Sequence, residues 1–354
     1  MVERVISVVL GAGMWPLRLV SPVKPVTVTR DQILALRLRT SHLDRRLARE
    51  DIDRAGYVGL QDSAPRSALL SLDTRVEDVD FDAWDDPRLI QVWGPRGSVY
   101  IIPRDDFAIF TLGRLPRDAD QRRVVEEDGR RIRELLEVSD RPGLKAATGG
   151  SVRRVREAAA TGTIRIRWDG SSIEVWAAEP PDADVEWCRL ELARRYLHVF
   201  GPSTSSHFTT WAGIDRQDAA DTWVALRDDF VDVQVNKSVR QVSAETHLAA
   251  NAEEDEIPKT TRLLPPGDTY LLARDREIVE PDKQNRSHLW PQGNVPPGGL
   301  LVDGELAGTW RRQGHAFTIS TWRPLASGVK GLIQTEIHEM PPLGSEPTVR
   351  WTST

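Results

Sequence analysis

The sequence predicts an α+β protein made of tandem winged helix-turn-helix units, three in number, followed by a small C-terminal β-barrel-like domain. Three observations predict it. Three times along the chain, two short amphipathic helical segments run into a pair of strand-like segments joined by a turn, the order of a winged helix-turn-helix. Asp169-Gly170 and Asp303-Gly304 each sit between apolar-rich runs, a strong short-range signal for a β-hairpin. Beyond residue 258, helical spacing gives way to strand-like alternation.

Residues 1–28 read as a disordered leader. The apolar run Val5 to Leu10 is too short to span a membrane, and no small-residue cleavage pattern follows it. Residues 29–113 form the first expected unit. Thr29 and Gln32 have capping-box spacing, and Leu34 and Leu38 share one helical face. A second helix is expected from Ala64 to Leu72, with Ser63 as N-cap and Pro65 in its first turn. Leu89–Trp93, the turn Gly94-Pro-Arg-Gly97 and Ser98–Ile102 then give a hairpin.

The second unit, 114–183, begins its first helix near Gln121, with Ile132, Leu135 and Leu136 as the apolar stripe. Its next helix, Ser151 to Thr161, is expected to bury Val152 and Val155 and to end at Gly162. Its outer side then shows Arg153, Arg154 and Arg156. In the hairpin that follows, alternation puts Ile164, Ile166 and Trp168 on one face and Arg165 and Arg167 on the other. The third unit, 184–250, is a linking helix, then Ser205–Ala212 and Arg216–Phe230, then strands. Its second helix is expected to expose Asp218, Asp221, Asp228 and Asp229. Residues 251–258 read as an acidic linker, 281–298 as a loop, and 259–354 as the β-rich domain, closed by a helix from Val329 to Glu339.

The net charge of −6 weighs against a generic nucleic-acid binder, but the charge is unevenly spread. Arg114 to Arg167 carries 14 basic against 9 acidic residues, while Asp215 to Glu256 carries 4 against 11. The first stretch suits phosphates and the second repels them, so double-stranded DNA is the expected partner. The single cysteine, Cys188, rules out an internal disulfide and suits a reducing cytoplasm, with nucleoid association following from DNA binding. The seven His have no ligand spacing, and no phosphate-binding or dinucleotide glycine motif is present, so neither metal nor cofactor is expected. Without a leucine-heptad dimerisation segment, a monomer is expected.

Several stretches together resemble a bacterial family of winged helix DNA-binding proteins that includes the AlkZ-type and AlkX-type DNA glycosylases. They are Gly59–Leu70, Trp93–Gly97, Arg195–Pro202, Phe208–Gly213, Leu263–Pro265 with Tyr270–Leu272, and Val302–Gly304 with Gly308–Arg311. The resemblance implies winged helices around a concave channel and, for some members, excision of alkylated purines or unhooking of crosslinks. Glycosylase members carry Gln-aliphatic-Gln or Gln-aliphatic-Asp ahead of the second helix of the first unit. Gln61 matches the first position. Asp62 and Ser63 depart from the second and third, and Tyr100 stands where many relatives have His.

The candidate catalytic residues are therefore Gln61, Asp62 and Ser63. A carboxamide at Gln61 can orient water or sugar, and Asp62 can offset positive charge if it faces the channel. Alternation turns Asp62 away from the side of 61 and 63, and Asp62 and Ser63 also suit a helix cap. Arg96, Arg153, Arg154, Arg156, Arg165 and Arg167 are the candidate DNA contacts. A solvated charged face, or for Arg96 a stabilised turn, is the alternative. A transcription regulator and a protein-interaction module on the same scaffold are the competing functions.

Overall fold

The structure, a computed structural model, describes residues 25–62, 64, 66–138, 151–245, 256–293, 295–341 and 346–353. It is an α+β fold in which three sheets are joined through helices. The leader expectation fails at its end, because β1 (Val26–Thr27) pairs in parallel with β7 (Phe230–Val235). Residues 1–24 lie outside the described residues.

Thr29 opens α1 (Arg30–Thr40) through a full capping box with Gln32, and Leu34 and Leu38 are buried. The next elements are β2 (Leu60–Gln61), α2 (Ser67–Asp73), β3 (Leu89–Trp93), β4 (Val99–Pro103) and α3 (Phe107–Leu112). They are followed by α4 (Ala119–Glu137), α5 (Val152–Ala158), β5 (Ile164–Trp168) and β6 (Ile173–Ala177). Ile132, Leu136 and Val155 turn inward as expected, whereas Leu135 and Val152 face solvent. Of the Asp-Gly turn, Gly170 takes the positive φ, and Asp169 accepts the amides of Ser171 and Ser172.

The first two hairpins do not stand apart. They form one sheet in the order β2-β4-β3-β5-β6, with Gln91 of β3 opposite Ile166 of β5 at the seam.

Asp184 caps α6 (Val185–Phe200), which buries Cys188. Then come α7 (Ser205–Ala212), α8 (Arg216–Ala225), β7 and β8 (Ser238–Ser243). Spacing predicts an inward set of Phe208, Trp211, Ala219, Trp223, Leu226 and Phe230; all are buried except Trp223, which is half-buried against the same cluster. Asp218 was expected on the surface but is buried, within 3.5 Å of the Arg189 guanidinium and accepting the amide of Arg117.

The C-terminal sheet comprises β9 (Thr261–Leu264), β10 (Gly298–Val302), β11 (Glu305–Gln313), β12 (Ala316–Thr321) and β13 (Thr348–Ser353). Its order is β13-β12-β11-β10-β9, with no pairing between β9 and β13 among the described residues. It is thus an open sheet and not a closed barrel. Ile333 and Ile337 of α11 (Ser327–Glu339) pack into the same core as Leu263, Leu300, Phe317 and Ile319. That burial supplies the cover that closure would otherwise give. Within the expected 281–298 loop, Asp282 caps a short helix, α10 (Lys283–Leu289), which follows α9 (Arg276–Val279). Of the 251–258 linker, residues 251–255 lie outside the described residues.

One apolar cluster joins the first unit, the third and the C-terminal part, containing Leu38, Ile102, Phe110, Leu197, Trp211, Leu264 and Leu301, while Ile132, Val155, Ile164 and Ile166 of the second unit pack in a separate cluster with Trp93. Two buried ion pairs add direction to it. Arg75 holds Asp268 with two hydrogen bonds, of 2.7 and 2.8 Å. Arg37 holds Asp275 with two more, of 2.9 and 2.8 Å, and also donates to the carbonyls of Phe200 and Gly201. Arg240 takes the same Asp275 carboxylate.

Burial alone would raise the Asp275 carboxyl, but the Arg37 and Arg240 guanidiniums hold it below its ordinary range. Its stabilisation is therefore present at neutral pH and is lost as pH falls below the ordinary carboxyl range. Asp275→Asn leaves buried guanidinium charge uncompensated and should cost about 3–5 kcal/mol in urea unfolding at pH 7. The deficit should shrink in acid, where the unsubstituted protein loses the same interaction.

Candidate nucleic-acid interface

Gln61 ends the edge strand β2 opposite Tyr100 of β4. Its carboxamide oxygen accepts from the Tyr100 hydroxyl at 3.3 Å and from the Arg96 guanidinium. Burial pushes the Tyr100 phenol up to about 12, so it stays a donor at neutral pH. Gly59, two residues before Gln61, has φ +74, and a Cβ there would come within 2.8 Å of the Tyr100 ring. The Gly-Leu-Gln run thus lets the Tyr100 ring pack flat beside β2. With these partners over it, Gln61 is only 8% exposed.

Asp62 does not face any channel. Its side chain is 0% exposed and accepts from the Ala68 amide at 3.1 Å, the Ser67 hydroxyl at 3.4 Å and the Gln91 amide at 3.0 Å. Burial pushes its carboxyl up to about 6, although all three donors pull the other way. The expectation that Asp62 offsets positive charge on a substrate is corrected by this burial. Asp62 instead caps α2, which begins at Ser67 and not at Ala64. Arg66 occupies the N-cap position in the left-handed region and makes no side-chain cap, so the expected cap at Ser63 is also corrected. Ser63 itself lies outside the described residues.

Gln91 extends the chain of contacts. While one end donates to Asp62, the other accepts the Trp168 amide at 2.6 Å, joining the second hairpin to the first. Arg96 lies at the tip of the β3–β4 hairpin with φ +57. Below the tip, Arg114 donates to the Trp93 and Gly94 carbonyls, and burial lowers its guanidinium to about 10.

The arginines of the second unit divide. Arg153 pairs with Glu157 at 2.8 Å, Arg154 with Asp128 at 2.7 Å, and Arg167 with Asp85 at 2.5 Å. Arg156 is exposed beside Gly97 of the first hairpin. Arg165 is half-buried, its guanidinium lowered by burial and by the neighbouring Arg104 charge. The six candidates are thus not one wall of unpaired cations. Arg156 and Arg165 have no ion pair among the described residues, whereas Arg153, Arg154 and Arg167 do.

A stronger concentration of positive charge lies where sequence reasoning placed nothing. A cleft of about 1060 Å³ runs between the start of α2 and the β11–β12 hairpin. Arg66, Arg311, Arg312 and Arg350 line it over Phe81, Trp310 and Phe317, and its described lining contains no Asp or Glu. The Arg66 guanidinium stacks 4.2 Å from the Phe81 ring centroid and 4.8 Å from that of Trp84. Its Nη1 is buried with no hydrogen-bond partner among the described residues. Cations gathered over aromatic and apolar floors attract polyanions whose bases can stack. These arginines come from distant segments, so local charge counting could not unite them. Arg66, inside the Gly59–Leu70 stretch, and Arg311, inside the Gly308–Arg311 stretch, were the available signals.

Among the described residues no His/Cys/Asp/Glu group suits a metal ion, and no helix is long and apolar enough to cross a membrane. His198 and His207 are both lowered by burial and sit in packed positions.

A family model described as "DNA glycosylase AlkZ-like" matches residues 52–163 and 144–341. No curated protein matches the chain. Among solved structures, Streptomyces sahachiroi DNA glycosylase AlkZ superposes with a TM-score of 0.74 at 18% identity, covering 92% of this chain and 100% of that one. This second likeness is one of fold.

Asp62→Asn keeps the side chain's shape but turns an N–H toward the Gln91 donor, and should cost roughly 1–3 kcal/mol of stability at pH 5. Because the Asp62 carboxyl is raised to about 6, its contribution is present below the ordinary carboxyl range and lost as pH rises through that value. The stability gap between the two proteins should therefore narrow from pH 5 to pH 7, as read by urea unfolding.

Proposed function

The chain belongs to the DNA glycosylase AlkZ-like family, and from that premise we propose that it is a DNA-repair or self-resistance glycosylase acting on duplex DNA. The reaction would be hydrolysis of the N-glycosidic bond of an alkylated purine, or unhooking of a crosslink at the same bond. We read residues 29–113, 114–183 and 184–250 as winged-helix units, with DNA lying across the first two and the acidic α8 turned away from it. The protein acts in this reading as a cytoplasmic monomer without metal or cofactor.

The observation that carries the reading is Gln61: a carboxamide fixed from two sides, just ahead of the segment that enters an arginine cleft with no acid among its described lining residues. An N7-alkylated purine already carries positive charge, so its departure needs little protonation. What remains is to place a water at C1′ of the sugar and to tolerate oxocarbenium character there. The Gln61 amide suits the first task by hydrogen bonding. No described carboxylate serves the second, since Asp62 is buried, so the flanking phosphates of the DNA are the anions at hand.

A second reading, DNA binding without excision, draws on that same burial of Asp62. A transcription regulator would use the arginines and leave Gln61 as a turn residue.

Duplex DNA carrying 7-methylguanine separates the two. Excision should release free base and leave abasic sites. Gln61→Ala should lower that release at least tenfold with binding largely kept. If no base is released at high enzyme excess, the second reading stands. Arg311→Ala and Arg350→Ala should each reduce the slope of log affinity against log salt by about 0.9.

A further inference from the structure

The arginine cleft adjoins a second hollow. This space, of about 520 Å³, is lined by Ser287, His288, Pro291, Val295 and Arg311. Arg311 and Val295 line the cleft as well, so the two spaces meet along one shared wall. That wall is fixed, because the Arg311 guanidinium donates through Nη2 to the Val295 carbonyl at 2.9 Å. One of its five N–H groups is thereby used, and the others remain for a ligand. The described lining of the hollow, like that of the cleft, contains no Asp or Glu.

His288 reaches the hollow from α10. Leu289, the next residue, is buried in the apolar cluster that holds Leu301 and Leu306, which seats the helix against β11. The His288 imidazole is half-buried and has no hydrogen-bond or ion-pair partner among the described residues. It lies in the last turn of its helix, where the backbone carbonyls favour a cation. The Ser287 hydroxyl, by contrast, already donates to the Gln284 carbonyl at 2.7 Å. Charged groups on the surrounding elements are engaged elsewhere. Glu280 accepts from Asn285, Asp282 caps α10, Glu277 lies 3.6 Å from Arg240, and Glu305 pairs with Arg30. Arg276 stacks on Trp290, Arg286 donates to the Glu280 and Pro281 carbonyls, and Arg312 donates to that of Gly314. Lys283 is exposed at the opposite end of α10. Arg311 and His288 are thus the two side chains of the hollow with N–H groups to offer an anion.

We propose that Arg311 and His288 together hold one backbone phosphate of bound DNA in this hollow, and that His288 takes up a proton as the phosphate arrives. Arg311 supplies a permanent charge and stands between the cleft and the hollow, so one strand passes from one space to the other across it. The imidazole supplies a second charge once both of its nitrogens carry protons. A phosphate beside an imidazole favours the charged form, so binding and protonation reinforce each other. Affinity for DNA therefore rises as pH falls through the range in which imidazoles titrate. The inference rests on the DNA-binding part of the proposed function, and its event needs no excision.

The test uses the full chain and an undamaged duplex, with affinity read by fluorescence anisotropy over a salt series at pH 5.5 and at pH 8. The slope of log affinity against log salt should be steeper at pH 5.5 by about 0.9, one additional phosphate contact. His288→Ala should abolish that difference and leave the slope at pH 8 unchanged. His288→Lys should give the steeper slope at both pH values. His315→Ala, which removes the imidazole in the turn between β11 and β12, should leave the pH difference in place. Equal slopes at the two pH values, or a difference that survives His288→Ala, overturn the proposal and leave the glycosylase reading intact. A difference carried by His288 without release of 7-methylguanine keeps the phosphate site and removes the glycosylase reading. No duplex binding at low salt overturns both.

Discussion

One buried carboxylate, Asp275, sets how the parts of this chain meet. It accepts from Arg37 of α1 and Arg240 of β8, and Arg37 also reaches the carbonyls that follow α6. Four segments remote in sequence are therefore fixed to one point. A pair this deep gains little net stability over an apolar replacement, because desolvating both charges offsets most of their attraction. Breaking it by removing one partner is another matter, since the remaining charges are stranded. Its effect is specificity of arrangement. With Asp275 occupied, Arg274 and Arg276 are left facing outward without it.

A hydrogen-bonded relay does similar work at the interface. Asp62, Gln91 and Trp168 connect the start of α2, the strand β3 and the end of β5. Through it the first two hairpins become one sheet, and their spacing is set by covalent geometry and two side chains. A duplex lying across them would meet a fixed surface and not two independently hinged wings. The position after Gln61 is thus used as a polar strut. Gln61 beside it is the residue of the motif whose amide points toward the hairpin tip.

Local features were the legible ones. The Thr29 capping box, the Asp169-Gly170 turn, the stop at Gly162 and the inward Phe208 and Trp211 follow from spacing alone. What spacing could not give is contact between distant segments. Val152 and Leu135 have the right periodicity for a core and lie exposed, because the partner surface covers only part of each stripe. Asp218 reads as one more acid on an acidic helix until Arg189 meets it from α6. The open C-terminal sheet shows strand alternation indistinguishable from that of a barrel, and only the cover from α11 decides between them. Gln61 and Arg66 lie in one stretch that its neighbours in sequence single out, whereas Arg350 meets the other cleft arginines only in the tertiary fold.

That distinction also resolves how an acidic protein can present itself to a polyanion. The net charge of −6 is an average over surfaces that never face the same ligand. On the second hairpin unit, Arg153, Arg154 and Arg167 hold acids in largely exposed pairs. Solvent screens such pairs, so phosphate can displace the acid at small cost, but the displaced carboxylate then remains nearby and repels. In the cleft, the described lining offers no carboxylate to displace and none to repel. The two surfaces therefore differ in kind: the paired arginines carry their own counter-charge, while those lining the cleft have no ion pair among the described residues. Affinity should concentrate at the cleft and not along the helix whose arginines are most conspicuous in the sequence.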